Sequence, residues 1–326
     1  MALVKTALPS PVPTSGASAW LSDFGLSDFA WRDGGLYIRK TGIHLKITQA
    51  LIAEIASWVV WLTILAGAAL WARLAYARRL AVWYAPDRPR PWYMCRGVAI
   101  FGGIDVAWLP DKADAAFYFE DVTCGQPARL AGRHINQACQ DISKAHVARV
   151  FEEVVGYPLA LDPLQVAGEI VEKSDKNGVH DGRIVIAPLA PLTGKVYQRI
   201  VDTRDDDGCC HDLRTPCVGG EPVVVWIKTK TPEGRFSINN RRARMAEPEA
   251  VYSETERDLI RRFNARIGLD CGGLDILRDR YDGRIYIVDV NKTDVGPVIA
   301  LSWGDKIRSM ARLGRALRRH IMETVA

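Results

Sequence analysis

The stretch Gly268–Pro297, GLDCGGLDILRDRYDGRIYIVDVNKTDVGP, decides the fold of this chain. It divides into two strands. Leu274–Arg278 is apolar with one acid, Asp275, set inside it, and Asp282-Gly283 is a strong hairpin-turn pair. Arg284–Asn291 follows as a mostly apolar strand in which Asp289 and Asn291 fall two apart and share one face. Crossing back over the turn brings Asp275 near that pair. Two carboxylates and an amide oxygen on one sheet face form a hard-oxygen site suited to Mg²⁺, which takes few carboxylates together with substrate phosphates. The bland alternative is a solvated hairpin face, but an acid inside an apolar strand is costly without a partner.

These strands resemble the closing strand pair of the ATP-grasp enzymes, nearest to the ribosomal-protein glutamate-ligase (RimK-type) branch. There a Gly-Leu-Asp…Gly-Val-Asp-Ile-Leu strand is followed by Glu-Val-Asn-Ala-Ser-Pro. The resemblance implies an α+β fold in which two subdomains clasp ATP, with Asp275, Asp289 and Asn291 holding Mg²⁺ (or Mn²⁺) on its phosphates. Two departures stand out. Asp289 replaces the usual Glu, and Lys292-Thr293-Asp294 replaces the small residues and proline. Lys292, beside the proposed ligands, is a candidate contact for the transferring phosphoryl group, with a solvated lysine as the alternative.

The 326 residues, 48% of them apolar, suffice for two ordinary domains with substantial cores. The formal net charge is +5, and the excess is local, so no nucleic-acid partner is expected. Seven cysteines lack paired metal spacing. Cys209-Cys210-His211 is their one cluster, and adjacent cysteines are poorly placed to ligate one zinc. They are expected as plain thiols of a reducing compartment.

Met1–Gly16, rich in Pro, Ser and Ala, is expected to be poorly ordered, and residues 1–46 give no clear element. Ile55–Ala72 then runs without a charge for about the length of a bilayer span. It lies too far from the start for a simple cleaved signal. Trp58, Trp61 and Trp71, with Trp83 and Tyr84 beyond, suit an interfacial belt, and Arg73, Arg78, Arg79, Arg88 and Arg90 place the C-terminal side in the cytoplasm. The expectation is that 47–86, ended by the linker Asp87–Pro91, is a hydrophobic helix that anchors the protein in the inner membrane. A buried or dimerisation helix of a soluble homo-oligomer is the alternative, which Glu54 favours. Residues 91–140 form a small α/β lobe, with Val98–Gly102 and Ala115–Phe119 as short buried strands, and 141–326 form the catalytic region.

Within that region, Asp141 or Ser143 can cap a helix with Val147, Val150, Phe151, Val154 and Val155 at helical spacing, closed by Gly156. Lys144 lies in its first turn, an odd place for a cation unless a phosphate arrives there. Gly168–Ser174 is a strand carrying Lys173, followed by a polar turn and the strand Arg183–Ala187. The resemblance makes Lys144 and Lys173 the lysines that reach the ATP phosphates and Asn177–Gly182 the loop that closes over them. His180 and Asp181 are departures without an assigned role. By the same resemblance Gln198, Arg199 and Ile200 form the hinge whose backbone meets adenine. Likewise His211-Asp212-Leu213-Arg214 matches an Asp-Ile-Arg step, with Asp212 near the ribose and Arg214 near the phosphates. Phe236–Arg242 resembles a Phe-x-Ser-Asn segment, so Asn239 or Asn240 faces the metal site. Arg241, Arg242 and Arg244 can bind a substrate carboxylate bidentately or form a solvated basic loop. Ser253 with Glu256 makes a capping box for the helix before the metal strands. Asp305–Val325 is an amphipathic helix whose arginines form a solvated face.

The implied reaction is ATP-dependent, ADP-forming ligation of a small-molecule or peptide carboxylate to an amine or thiol through an acyl phosphate. Arg214, Arg241 and Lys292 are its candidate catalytic residues. No Ser-His-Asp or Cys-His constellation is apparent, and none is required. A phosphotransferase acting on a hydroxyl and a non-catalytic nucleotide-binding membrane protein are the alternatives.

Overall fold

A computed structural model of the chain describes residues 29–32, 34–38, 43–126, 130, 132–232, 234, 236 and 240–323. Segment 1–16 and Asn239 lie outside them. The architecture expected from the resemblance is the one observed: α+β, with two units facing each other, a small α/β lobe before them, and a long apolar helix ahead of that lobe.

An antiparallel meander, β1 (Phe29–Arg32), β2 (Gly35–Ile38) and β3 (Ile43–Lys46), leads to the helix Gln49–Ala75, whose N-cap Thr48 accepts a hydrogen bond from the Leu51 N–H. One stripe of this helix is buried, at Trp61, Leu65 and Ala72. Trp61 and Leu65 share a core with Val98 and Met310 and close over Gly97. Its outer side leaves Ile52, Ile55, Val59, Leu70, Trp71 and Leu74 exposed. A span detached from the body is therefore not what forms, because three turns of the helix are seated on the lobe.

The helix also ends earlier than expected, at Ala75 rather than at residue 86. Leu80–Pro86 is β4, the centre of a parallel sheet with β5 (Ile104–Val106), β6 (Ala115–Phe119) and β7 (His134–Ile135), in the order β5-β4-β6-β7. Trp83 and Tyr84 belong to this strand and to no interfacial belt. Tyr84 is buried with its ring 5.3 Å from that of Phe117. Strands of parallel sheets are apolar on both faces, which is how β4 came to look like helix. Val98–Gly102, expected as a strand, lies instead in and just beyond the helix Met94–Phe101. Short apolar runs do not distinguish the two by periodicity. The C-terminal helix, Trp303–Glu323, packs on it so closely that a Cβ on Gly314 would stand 2.6 Å from the Gly102 nitrogen.

The helix Lys144–Val155 forms as its signals dictate, with the Ser143 hydroxyl accepting from the His146 N–H and Gly156 closing it at φ 83°. Next come β8 (Gly168–Ser174), β9 (Arg183–Ala187) and β10 (Lys195–Gln198), an antiparallel sheet in the order β10-β8-β9. The largest sheet follows. Its members are β11 (Cys210–Val218), β12 (Glu221–Pro222), β13 (Val225–Lys230), β14 (Arg242–Ala246), β15 (Cys271–Arg278) and β16 (Ile285–Asn291), in the order β14-β13-β11-β15-β16 with β12 on β11. The helix Glu254–Ile267, started by the Ser253–Glu256 capping box, and the helix Lys144–Val155 cover one face of this sheet. Phe151, Phe263, Leu274, Ile276 and Tyr286 fill the space between, each contributing about 1.5–3 kcal/mol by leaving water. The other face meets the C-terminal helix at Val218 and Trp226 and leaves the part around Arg214 and Asp275 to build a site.

Candidate active site

That part of the face and the β8–β10 sheet enclose a cleft of about 1230 Å³. One wall carries lysines that meet no carboxylate. Lys144 Nζ donates to the Lys176 carbonyl at 2.7 Å, and Lys173 Nζ to the Val288 carbonyl at 3.4 Å. Burial pushes the Lys173 ammonium down to about 8, against the pull of Asp289. The loop after β8 is docked rather than open. The Asn177 side chain donates to the Val290 carbonyl at 3.0 Å, and Gly182 lies under the Phe236 ring, where a Cβ would come within 2.9 Å.

The opposite wall is a lattice of ion pairs. Arg214 binds Asp275 at 2.6 Å through Nη1 and Asp294 at 2.6 Å through Nη2. With its amide oxygen turned to Arg214, Asn291 accepts from the same guanidinium at 2.5 Å and 3.2 Å. Lys228 reaches the second oxygen of Asp275 at 2.9 Å, and Lys230 reaches Asp212 at 2.7 Å. Gly273 makes this lattice possible, since a Cβ there would stand 2.6 Å from Asp294 Oδ2 and 2.9 Å from Arg214 Nε. Burial raises the Asp275 carboxyl, but Arg214 and Lys228 outweigh it and hold the group well below the carboxylate range. At Asp294 burial wins over Arg214, and its carboxyl is raised.

Asp289 stands between the walls. It is the cross-strand neighbour of Asp275, and Gly273 pairs with Asn291 two residues away, so the three proposed metal ligands converge as the sequence indicated. Burial raises the Asp289 carboxyl, with Asp275 adding to the rise and Lys144 and Lys173 opposing it. Among the described residues its side chain makes one hydrogen bond, from the Val290 N–H, and no ion pair. A half-buried carboxylate without a bonded cation is costly, and a divalent ion between Asp289 and Asp275 would relieve it. Each carboxylate oxygen has two lone pairs, so Asp275 can keep its cations and still offer a ligand. The residues fit a hard divalent ion on that chemistry, with Asp289 as the open member.

At the hinge, Gln198 is 2% exposed, lines the cleft, and leaves its Nε2 without an acceptor. A buried amide donor without a partner is rare and aims at something that binds. Arg199 also lines the cleft, its guanidinium 5.0 Å from the Tyr286 ring centre. Ile200 is half-buried and does not line it. Asp212 lines it but is already tied to Lys230, and Arg241 sits exposed at the rim.

Lys292 is a correction. Strand alternation turns it away from Asn291 and the cleft. Its Nζ donates to the Gln140 carbonyl at 3.2 Å and lies 5.2 Å from the Tyr118 ring centre, and the side chain is buried there. In this arrangement it does not line the cleft. Lys228 and Lys230 were missed although the signal was present: Lys-Thr-Lys on a strand puts two cations on the face of Asp212 and Arg214. Asp294, seen only as a departure from the family pattern, is the second anchor of Arg214.

No protein-family model matches this sequence, and no curated protein matches it. Among solved structures the chain is similar to ATP-grasp ligases. One is the ligase PsnB complexed with a phosphomimetic variant of its minimal precursor, Mg and ADP, at 13% identity and TM-score 0.49, covering 77% of this chain and 100% of that one. Another is the macrocyclase MdnC bound with precursor peptide MdnA from Microcystis aeruginosa MRC, at 12% and 0.45, covering 74% and 99%. A third is a RimK domain ATP-grasp protein from Sphaerobacter thermophilus DSM 20745, at 11% and 0.44, covering 74% and 99%. Likeness at this level carries no chemistry across to this chain, and the function must be read from the cleft itself.

Proposed function

We propose that this chain is an ATP-dependent, ADP-forming ligase that joins a carboxylate to an amine or thiol. One observation carries the reading: Lys144 and Lys173, without carboxylate partners, face Asp275, Asp289 and Asn291 across a single cleft. Cations without acids on one side and acids on the other suit a polyanion held with a divalent ion. The lysines neutralise the phosphates, and the free amide donor of Gln198 holds the base of the nucleotide. Mg²⁺, held by Asp289 with Asp275 and Asn291, would supply charge neutralisation at the phosphates. Arg214 keeps Asp275, Asp294 and Asn291 in place as a positioning residue. In the reaction a substrate carboxylate oxygen bonds to the γ-phosphorus and ADP leaves. The nucleophile then bonds to the acyl carbon, loses a proton, and phosphate departs.

The test is ADP and phosphate release from the purified protein with Mg²⁺ and ATP, against pools of carboxylates with amines or thiols. Acceptor-dependent release of both products supports the ligase. ADP without phosphate indicates a phosphotransferase, and binding without turnover a nucleotide-binding protein.

We also infer that the outer side of the helix Gln49–Ala75 meets a bilayer while its inner stripe stays on the lobe. What supports this is the row of large apolar side chains left exposed, from Ile52 to Leu74, on a helix of mean hydropathy 1.8. Arg73 at its end suits a cytoplasmic headgroup layer, whereas Arg78 and Arg79 just beyond are paired with Asp114 and Asp105 of the lobe. Recovery of the intact protein in a high-speed supernatant without detergent would refute it.

A further inference from the structure

The sheet that builds the cleft has a second concavity on its other face, beside the helix Glu254–Ile267. This pocket of about 750 Å³ has a floor of Leu213, Ile227 and Val251. Strand alternation divides it from the cleft, although Thr203 and Arg241 at the rim line both: Asp212, Arg214, Lys228 and Lys230 point to the cleft, while His211, Leu213, Ile227 and Thr229 point here.

Its charge is unbalanced. Six arginines line it against three acids, of which Asp205 is bound to His211 at 2.7 Å, Asp279 accepts from the Tyr281 N–H at 2.8 Å, and Asp207 is exposed to solvent. Arg204 and Arg278 are held by Asp202 and Glu256. Arg242 and Arg244 of β14 also line the pocket, and their side chains have no hydrogen-bond or ion-pair partner among the described residues. Pairing Arg242 with Thr229 and Arg244 with Ile227 sets them on one face, two residues and so roughly 7 Å apart along the strand. Charge on an edge strand can serve to discourage edge pairing. Here, though, the two exposed guanidiniums line the rim of an open pocket of ligand size with an apolar floor.

We propose that this pocket is a second binding site, separate from the nucleotide cleft, for a small molecule carrying at least two anionic groups. The planar forks of Arg242 and Arg244 would each take one carboxylate or phosphate bidentately. The apolar floor would take the body between them. The proposal does not rest on the ligase reading.

The experiment is calorimetric titration of citrate and, separately, of pyrophosphate into the full chain, with the cleft first saturated by a non-hydrolysable ATP analogue and Mg²⁺. Citrate binding points to a carboxylate ligand and pyrophosphate binding to a phosphorylated one, and either supports the site. The double variant Arg242→Ala/Arg244→Ala should weaken that binding by roughly a hundredfold or more, at tenfold per charge-assisted contact. Arg242→Lys/Arg244→Lys, which keeps the charge but loses the forks, should fall between. ATP-analogue affinity and the thermal midpoint should stay unchanged in both. Binding of neither probe, or binding equal in wild type and the alanine variant, would overturn the site.

Discussion

The two walls of the cleft carry the same kinds of residue in opposite states. On one wall Lys144 and Lys173 donate only to backbone carbonyls. On the other, Arg214, Lys228 and Lys230 are bound by Asp275, Asp294 and Asp212 at 2.6–2.9 Å. Cations of the first kind are left for a ligand to neutralise. Those of the second kind hold the wall together, and a ligand gains little from them unless it displaces their partners. The acids divide in the same way, with Asp275 held and Asp289 open. A charge in this cleft therefore acts on function or on stability according to whether it is already partnered.

Asp275 and Asp289 test this division with the largest expected effect. Asp289→Asn should cut Mg²⁺-dependent turnover by orders of magnitude and leave thermal stability level or raised, since it removes a half-buried charge without an ion pair among the described residues. Asp275→Asn should cut turnover as far and also destabilise the fold by about 3 kcal/mol, because Arg214 and Lys228 lose their partner. Loss of stability in both variants, or in neither, would erase the distinction between held and open acids. Acid titration gives the same comparison by another route. Asp275, depressed when folded, contributes stability above the ordinary carboxylate range that is lost as pH falls through and below it. Asp289, raised when folded, has a cost that is relieved over that fall.

The lysines come next. Lys173→Met should weaken ATP by roughly tenfold or more and leave adenosine unchanged, since only the phosphates meet the ammonium. Lys228→Met should weaken ATP less and lower stability more, as its charge is spent on Asp275 and Asp212. Equal effects of the two substitutions on ATP would mean that both walls meet the phosphates. Lys292→Met should shift ATP affinity by less than about twofold, because this lysine faces Gln140 and Tyr118.

How much of this was legible in the sequence follows from which forces are local. Strands β15 and β16, the Ser143 and Ser253 caps, and the convergence of Asp275, Asp289 and Asn291 rest on turn chemistry and period-two alternation, and all could be read from residues near one another. The same alternation, taken one residue past Asn291, would have turned Lys292 away from the site. What was hidden depends on distant partners. That Arg214 is spent on Asp294 needs the chain after β16 to fold back over Gly273. Strand β4 looked like helix because a strand buried on both faces shows no polar stripe. The inner stripe of the helix Gln49–Ala75 was equally silent, because an all-apolar sequence does not say which of its sides meets protein.

A last effect is in pH, and it separates the walls without any substitution. Burial brings Lys173 down to about 8 in the free protein, whereas Arg214 is held charged by Asp275 and Asp294. The open wall therefore loses a charge within the accessible alkaline range, and the paired wall does not. ATP binding prefers charged Lys173, so the dissociation constant should be flat below about pH 7 and rise above about pH 8, by up to tenfold per unit. Adenosine binding should stay flat over the same range. In Lys173→Met the rise for ATP should disappear while the fold remains intact, since the variant removes a buried ammonium that the native state holds at a cost. A rise that persists in the variant would mean that another group on the cleft sets the pH dependence, and that Lys173 is not the open cation the geometry makes it.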